Sequence, residues 1–443
     1  MAFNAARMHP SGAKKQIWNI LSVLSTWFSI WTFISILLYL KVPVASTKIY
    51  AEDGLSLQTA LEKSFPHDFL VPYAGYLDIV WRSGGRVATF FPLQNAAQSI
   101  FLFNAFVLSW ITLTLYRASS EHIQNRSSRA IFSLSLLFLP IANFESVANT
   151  TNLHFFFMAA SLPIFLRRFT QKIEAYKFAF FVLVSTLSTP LMLFYVPLVI
   201  YLRLVNSKSK CYSKLNPTES ALLIGLFVQF LFILVRAFGD RTSTGTNSLA
   251  KAGYLYLDRV VGSTFVPWWG NVSKSTISPM PSILPTSIYL VLRALLTLIL
   301  LLSFALYVLK YRQKSREISV LTTGVFLSGV FYWCVVGVLF NPEPRYAIFP
   351  SFSLILLVFY FYGNLDKTKN SKLKERVIIT LVLLTWIGSW SPSAQRTEGP
   401  NWATEFAKAQ AKCSVGIDKV RIPIIPEGQG WNVLISCRKI PTA

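Results

Sequence analysis

The chain has 443 residues, of which 53% are hydrophobic, 15% aromatic and only 14% charged, with a mean hydropathy of +0.48. A water-soluble fold, which must cover its surface with charge, is excluded. The 42 Lys and Arg outnumber 19 Asp and Glu to give +23, but they lie between apolar runs and form no patch or stripe of the kind a nucleic-acid binder carries.

A membrane span needs roughly 20 apolar residues, fewer where a helix meets protein or a water-filled cavity. Eleven windows meet that test: 17–40, 95–116, 129–142, 153–166, 177–189, 191–203, 218–237, 287–309, 318–340, 346–363 and 377–391. The first is too long for the apolar core of a signal peptide and is followed by no small-residue cleavage site, so it reads as a span. Windows five and six are divided only by Thr189-Pro190, which is compatible with one kinked helix or with a reversal of the chain. Basic clusters at 7–15, 117–129, 167–177, 203–214, 310–316 and 367–376 decide for the reversal. With it, every cluster falls on the cytoplasmic side, and the chain runs N-inside to C-outside. The expected fold class is an all-α polytopic membrane protein, with residues 1–391 as the transmembrane domain and 392–443 as a small extracytoplasmic tail.

Residues 42–94 and 238–286 are then long outer loops, and loops of this length usually carry function or disorder. In the first, Glu52 and Asp53 follow directly on the first span. Such a carboxylate can take a proton from an acceptor hydroxyl at the membrane surface; as an ordinary alternative, the pair simply begins a helix. Farther on, Leu77, Val80, Trp81, Val87, Ala88 and Phe91 share one helical face, and Asp78, Arg82 and Arg86 recur on the other. This predicts an amphipathic helix in the interface plane, with Arg82 and Arg86 at headgroup level; an Asp-Arg pair solvating a helix explains the same residues.

Windows three and four are short, so the polar run between them, from Asn143 to His154, is expected below the outer surface in a protein-lined cavity. Glu145 and His154 are its ionisable members, with Asn149 and Asn152 beside them. Groups of this kind at membrane depth mark function or interhelical packing. Asn149-Thr150-Thr151 and Asn271-Val272-Ser273 match the glycosylation triplet. Late in the chain, Arg345 and Tyr346 fall at the outer boundary, where an arginine can hold a phosphate or merely snorkel; Arg236, Arg259 and Arg293 are further outer cations.

Cys211 and Cys334 lie in or beside apolar stretches and behave as small hydrophobes. Cys413 and Cys437, in the outer tail, are candidates for a disulfide. The four histidines do not cluster, so no metal site is expected, and no catalytic or nucleotide-binding sequence signature occurs.

An N-inside first span, a long outer loop with Glu52-Asp53, an interfacial helix, many further spans and a late Arg345-Tyr346 resemble the GT-C superfamily of membrane glycosyltransferases. Its members include protein mannosyltransferases and the aminoarabinose and arabinofuranose transferases of bacterial envelopes. The resemblance implies transfer of a sugar from a polyprenyl-phosphate carrier to a glycan, lipid or protein acceptor, on the outer face of a bacterial cytoplasmic membrane. It implies Asp53 as catalytic base with Glu52 beside it, Arg345 as first choice for the carrier phosphate, and Arg82, Arg86 and Arg259 after it. It implies no cofactor, and leaves a divalent cation open. The tail is too short for the large C-terminal domain of some members, and no acceptor-binding motif is found. The rival from another class, a transporter or flippase of lipid-linked glycans, predicts paired repeats around a midplane site, and no convincing repeat is present.

Overall fold

The computed structural model describes residues 10–139, 147–205 apart from 168 and 170, 215–235, 252–264 apart from 254 and 263, 316–339, 344–364 and 399–441 apart from 427–429, with a few single positions between 295 and 383. These are mostly helical: α1 (Pro10–Lys41), α2 (Ala51–Glu62), α3 (Ile79–Ala88), α4 (Ala96–Ala118), α5 (Arg126–Phe138), α6 (Leu153–Leu166), α7 (Lys172–Ser188), α8 (Tyr195–Val205), α9 (Pro217–Val235), α10 (Arg316–Leu339), α11 (Ile348–Asn364) and α12 (Trp402–Cys413). Helices coincide with the first seven apolar windows and with 318–340 and 346–363; windows 287–309 and 377–391 lie outside the described residues apart from single positions.

Three described helices are long and apolar enough to cross a membrane alone: Leu21–Lys41, Leu93–Glu121 and Pro217–Leu234. Leu24, Phe28, Ile36 and Leu40 of α1 are exposed, as are Ile224, Phe227 and Leu234 of α9. Rows of outward apolar side chains suit lipid as the surrounding solvent. α7 and α8 turn by 119° at their break, because Pro190 has no N–H with which to continue a helix and Thr189 accepts from Leu191 N to open a new turn. The stretch is two helices and not one kinked rod. α6 is apolar and buried on nearly every side, as expected of a central helix, and α4, α7 and α11 pack around it.

At the end of the bundle where α1 exits and α4 enters, α2, α3 and the tail share a second core that includes Ile49, Leu57, Trp402, Phe406, Ile422 and Val433. The all-α expectation is corrected in the tail. There β1 (Lys419–Pro423) pairs antiparallel with β2 (Asn432–Ser436), because alternate residues are buried along both strands, a period-2 pattern that suits a half-buried strand. Ile425 N donates to Ile49 O at 3.2 Å, and Ala51 N donates to Ile425 O at 2.6 Å, so the tail joins the chain where α2 begins. A disulfide between Cys413 and Cys437 ties α12 to the end of β2.

α2 and α3 cross where Gly85 meets Ser56: a Cβ at Gly85 would lie 2.4 Å from the Ser56 backbone carbon. Backbone cannot move aside as a side chain can. Gly85→Ala is therefore expected to cost about 3 kcal/mol and to lower the thermal midpoint of the detergent-solubilised protein, while Gly253→Ala, with nothing within 4 Å of the new Cβ, leaves it unchanged. Replacing Cys413 and Cys437 by Ser removes a crosslink spanning 24 residues, which chain entropy values at about 3.5 kcal/mol. Limited proteolysis of that variant is expected to cut first within residues 399–441, and the same protection as wild type would contradict this.

Candidate functional site

Glu52 and Asp53 form the first turn of α2. They follow Tyr50, which is bridged to Ile425 of the tail, and Ala51, whose φ of 36° is left-handed. Such a backbone is uncommon for alanine and stores strain on the order of 1 kcal/mol. Asp53 is 2% exposed, and it meets the turn that precedes α6. Thr150 donates to Asp53 Oδ1 both its backbone N–H, at 3.0 Å, and its hydroxyl. That turn also contains a left-handed alanine, Ala148 at 61°. It is held by Asn149, whose side-chain oxygen accepts from Thr151 N at 3.0 Å, and by Asn152 N, which donates to Asn149 O at 3.2 Å. A Cβ on Gly84 would lie 2.6 Å from the Thr150 methyl. Gly84 and Gly85 thus let α3 meet the turn on one side and α2 on the other.

Glu52 is half-buried. Tyr73 donates its hydroxyl to Glu52 Oε1 at 3.4 Å, Trp81 Nε1 donates to the Glu52 carbonyl at 3.0 Å, and Oε2 is buried without a partner.

The polar stripe of α3 departs from expectation. Asp78 and Arg82 are buried, so their part of the stripe faces protein and not an open surface; the amphipathic period is indifferent to whether water or protein covers the polar face. Asp78 caps α3 by accepting from Trp81 N at 3.0 Å. Its Oδ2 lies 3.6 Å from His154 Nδ1, beyond hydrogen-bond distance. Burial raises Asp78 above the ordinary carboxylate value of 3.8, against the opposing pull of His154 and Arg82. Arg82 donates through Nε to Val71 O at 3.1 Å and lies 4.1 Å from the Trp81 ring centroid. Burial pulls it down to about 10, with Asp78, Asp68 and Tyr73 opposing. Arg86 is likewise engaged by protein: it bonds Asp68 Oδ2 at 2.8 Å and Lys63 O at 2.8 Å.

The bundle fixes the start of α3. Gln229 of α9, 1% exposed, donates to Leu77 O at 2.8 Å and to Thr186 O at 2.9 Å, and accepts from Leu77 N at 3.0 Å. Ser188 at the end of α7 accepts from Val80 N at 3.4 Å.

Arg345 and Tyr346 lie in the 3-10 turn Pro344–Ala347 that leads into α11. The Arg345 guanidinium is 5.9 Å from the Tyr346 ring, Tyr346 meets Phe155 edge-on at 5.3 Å, and Phe155 lies against His154 at 4.1 Å. Arg259 belongs to the π-helical turn Tyr256–Gly262, which packs on the same 3-10 turn. The late arginines thus connect to His154 through a line of rings. Glu145, Arg236, Arg293 and Asn271 lie outside the described residues. Asn149, 1% exposed, is no glycosylation acceptor as it stands in this fold. Among the described residues, no three His, Cys, Asp or Glu side chains gather into a metal-binding group.

Seven buried polar atoms in this region have no hydrogen-bond partner: Glu52 Oε2, Asp68 Oδ1, Asp78 Oδ2, Arg82 Nη1, Asn149 Nδ2, Thr151 Oγ1 and His154 Nδ1. Buried polar atoms are nearly always partnered, so such a concentration fits a place where water or a polar ligand supplies the missing bonds. The sequence matches no protein-family model and no curated protein.

Reading the chain residue by residue passes over Thr150, Asp78 as a cap, and Gln229. The signals were a hydroxyl amino acid inside a polar turn, an Asp three residues before Trp81, and a lone amide in an otherwise apolar span. The adjacent Gly84 and Gly85 signalled a close backbone approach.

Asp78 holds its proton more tightly in the folded than in the unfolded chain, so its share of stability is full below 3.8 and is lost as pH rises through the raised value. Thermal midpoints of wild type and Asp78→Asn across that range test this. The difference between them should shift in the variant's favour as pH rises, and a constant difference would refute it.

Proposed function

We propose that this chain is an inverting glycosyltransferase of the GT-C kind, crossing a bacterial cytoplasmic membrane eleven times from N-inside to C-outside and acting on the outer face. The observation that carries the reading is a buried carboxylate, Asp53, oriented by two donors from one residue and set in a region whose Arg82, His154 and Asn149 each have an unpartnered polar atom. A membrane-boundary site offering one base and several unfilled donors suits a substrate that is both hydroxylated and anionic.

Asp53 takes the proton of an acceptor hydroxyl. The hydroxyl oxygen attacks the anomeric carbon of the donor sugar from the face opposite the phosphate, the bond from that carbon to the phosphate oxygen breaks, and polyprenyl phosphate leaves with the electron pair. Arg82, with Nη1 buried and unpartnered, and Arg345 and Arg259 beyond Tyr346 stabilise the negative charge that develops on the leaving phosphate. Arg86, engaged by Asp68 and the Lys63 carbonyl, has no part in this. His154 and Asn149 hold the sugar's hydroxyls, and Thr150 is a positioning residue.

With a polyprenyl-phosphate sugar and an envelope glycan acceptor, Asp53→Asn is expected to lower kcat by about 10²- to 10⁴-fold, the usual share of a general base, with the thermal midpoint nearly kept. Thr150→Val, which keeps the shape but removes the hydroxyl donor, should lower kcat more than it raises KM. Full turnover by a folded Asp53→Asn protein would rule out the base assignment, and movement of intact lipid-linked glycan across vesicles without sugar transfer would favour the flippase.

A further inference from the structure

At the end of the bundle away from Asp53, α1, α4 and α7 bound a lateral groove of about 1170 Å³. α4 starts beside the outer loops and runs 23 residues to Ala118, about 34 Å at 1.5 Å per residue, so its last turn and the first turns of α7 lie at the opposite membrane boundary. The groove wall is aromatic: Trp27, Phe106, Trp110 and Phe180, with Trp27 stacked on Phe106 at 5.7 Å and Trp110 against Phe180 at 5.9 Å. Its boundary end is cationic, formed by Arg117 and Lys177, both exposed. The one acid in the lining, Glu174, is taken up by Arg167 at 2.8 Å. Arg167 in turn donates to the Arg117 carbonyl and to Ser120 Oγ at 3.0 Å, which fixes the rim.

We propose that this groove binds an anionic phospholipid of the surrounding bilayer, its acyl chains along the aromatic wall and its phosphate between Arg117 and Lys177. The pattern of an apolar shaft closed by two cations at headgroup depth is complementary to such a lipid. The rim matches too: Ile173 and Tyr176, 72% and 64% exposed, present apolar surface where water would be a poor solvent. A second copy of the chain would set the cations of both copies at the same membrane depth and close together, which opposes that occupant. The inference is independent of the transferase reading.

Two tryptophans in the wall supply the probe. The full-length protein is reconstituted in phosphatidylcholine vesicles in which either brominated phosphatidylglycerol or brominated phosphatidylcholine replaces part of the lipid, and tryptophan quenching is recorded. Brominated phosphatidylglycerol is expected to quench more strongly. Each cation should carry about a fivefold share of that preference, so Arg117→Gln/Lys177→Gln removes it, and Trp27→Phe/Trp110→Phe removes the excess quenching itself. Phosphatidylglycerol should also stay with the wild-type protein through detergent purification, as read by mass spectrometry of extracted lipid, which keeps the test open if a variant misfolds. Equal quenching by the two lipids, a preference unchanged in the double-glutamine variant, or no retained phosphatidylglycerol would overturn the proposal.

Discussion

Taking a carboxylate out of water costs several kcal/mol unless donors meet it, and Asp53 is out of water. Two of its donors come from Thr150, a residue 97 positions away in the chain, so the segment 42–94 depends on the turn before α6. This one requirement fixes much else. α2 must stand beside that turn with α3 packed against both, and only the absent side chains of Gly84 and Gly85 allow the spacing. The two alanines held in left-handed backbone, Ala51 and Ala148, stand just ahead of the two partners in this contact. Local strain of that kind persists only where the surroundings over-determine it, and here the tail pairing on one side and the Asn149 turn on the other do so.

Apolar helices were legible in the sequence. The windows at 153–166 and 346–363 emerge as α6 and α11 within a residue or two, since a continuous apolar run of that length suits a helix buried among others. The break at Thr189-Pro190 was legible through the chemistry of proline together with the spacing of the basic clusters. Contact across the fold was not. The Asp78, Arg82, Arg86 stripe has the period of a surface helix, yet two of the three residues are buried, because a polar face can be covered by polar protein as well as by water. Gln229 looks like an isolated blemish in an apolar span until Leu77, 152 residues earlier, is found between its amide oxygen and nitrogen.

The tail shows the same limit from the other direction. Its cysteines pointed to a crosslink, and its length pointed to a small appendage. Val420, Ile422, Val433 and Ile435 instead complete a core begun by Ile49, Leu57 and Leu61, and Gly54 sits so close to Ile424 and Val433 that a Cβ there would clash. α2 is therefore held on two faces, by the tail on one and by α3 with the Thr150 turn on the other. A short helix of 12 residues is marginal alone, and this double support makes it a rigid mount for the Asp53 carboxylate.

The polar groups around α3 share a further property. Asp78 uses Oδ1 to cap α3 and turns Oδ2 toward His154 Nδ1 at 3.6 Å; Arg82 uses Nε on Val71 and leaves Nη1 open; Asn149 uses its oxygen on Thr151 and leaves its nitrogen open. Arg82 and Asn149 are thus each anchored by one atom and unfilled at another. A network kept for stability alone gains by closing on itself, because every buried orphan costs about 1–3 kcal/mol. Arg86 has Asp68 and Lys63 on its donors, although Asp68 Oδ1 is itself left without a partner. α3 thus carries one arginine with its donors engaged and another left partly open, four residues apart on one stripe.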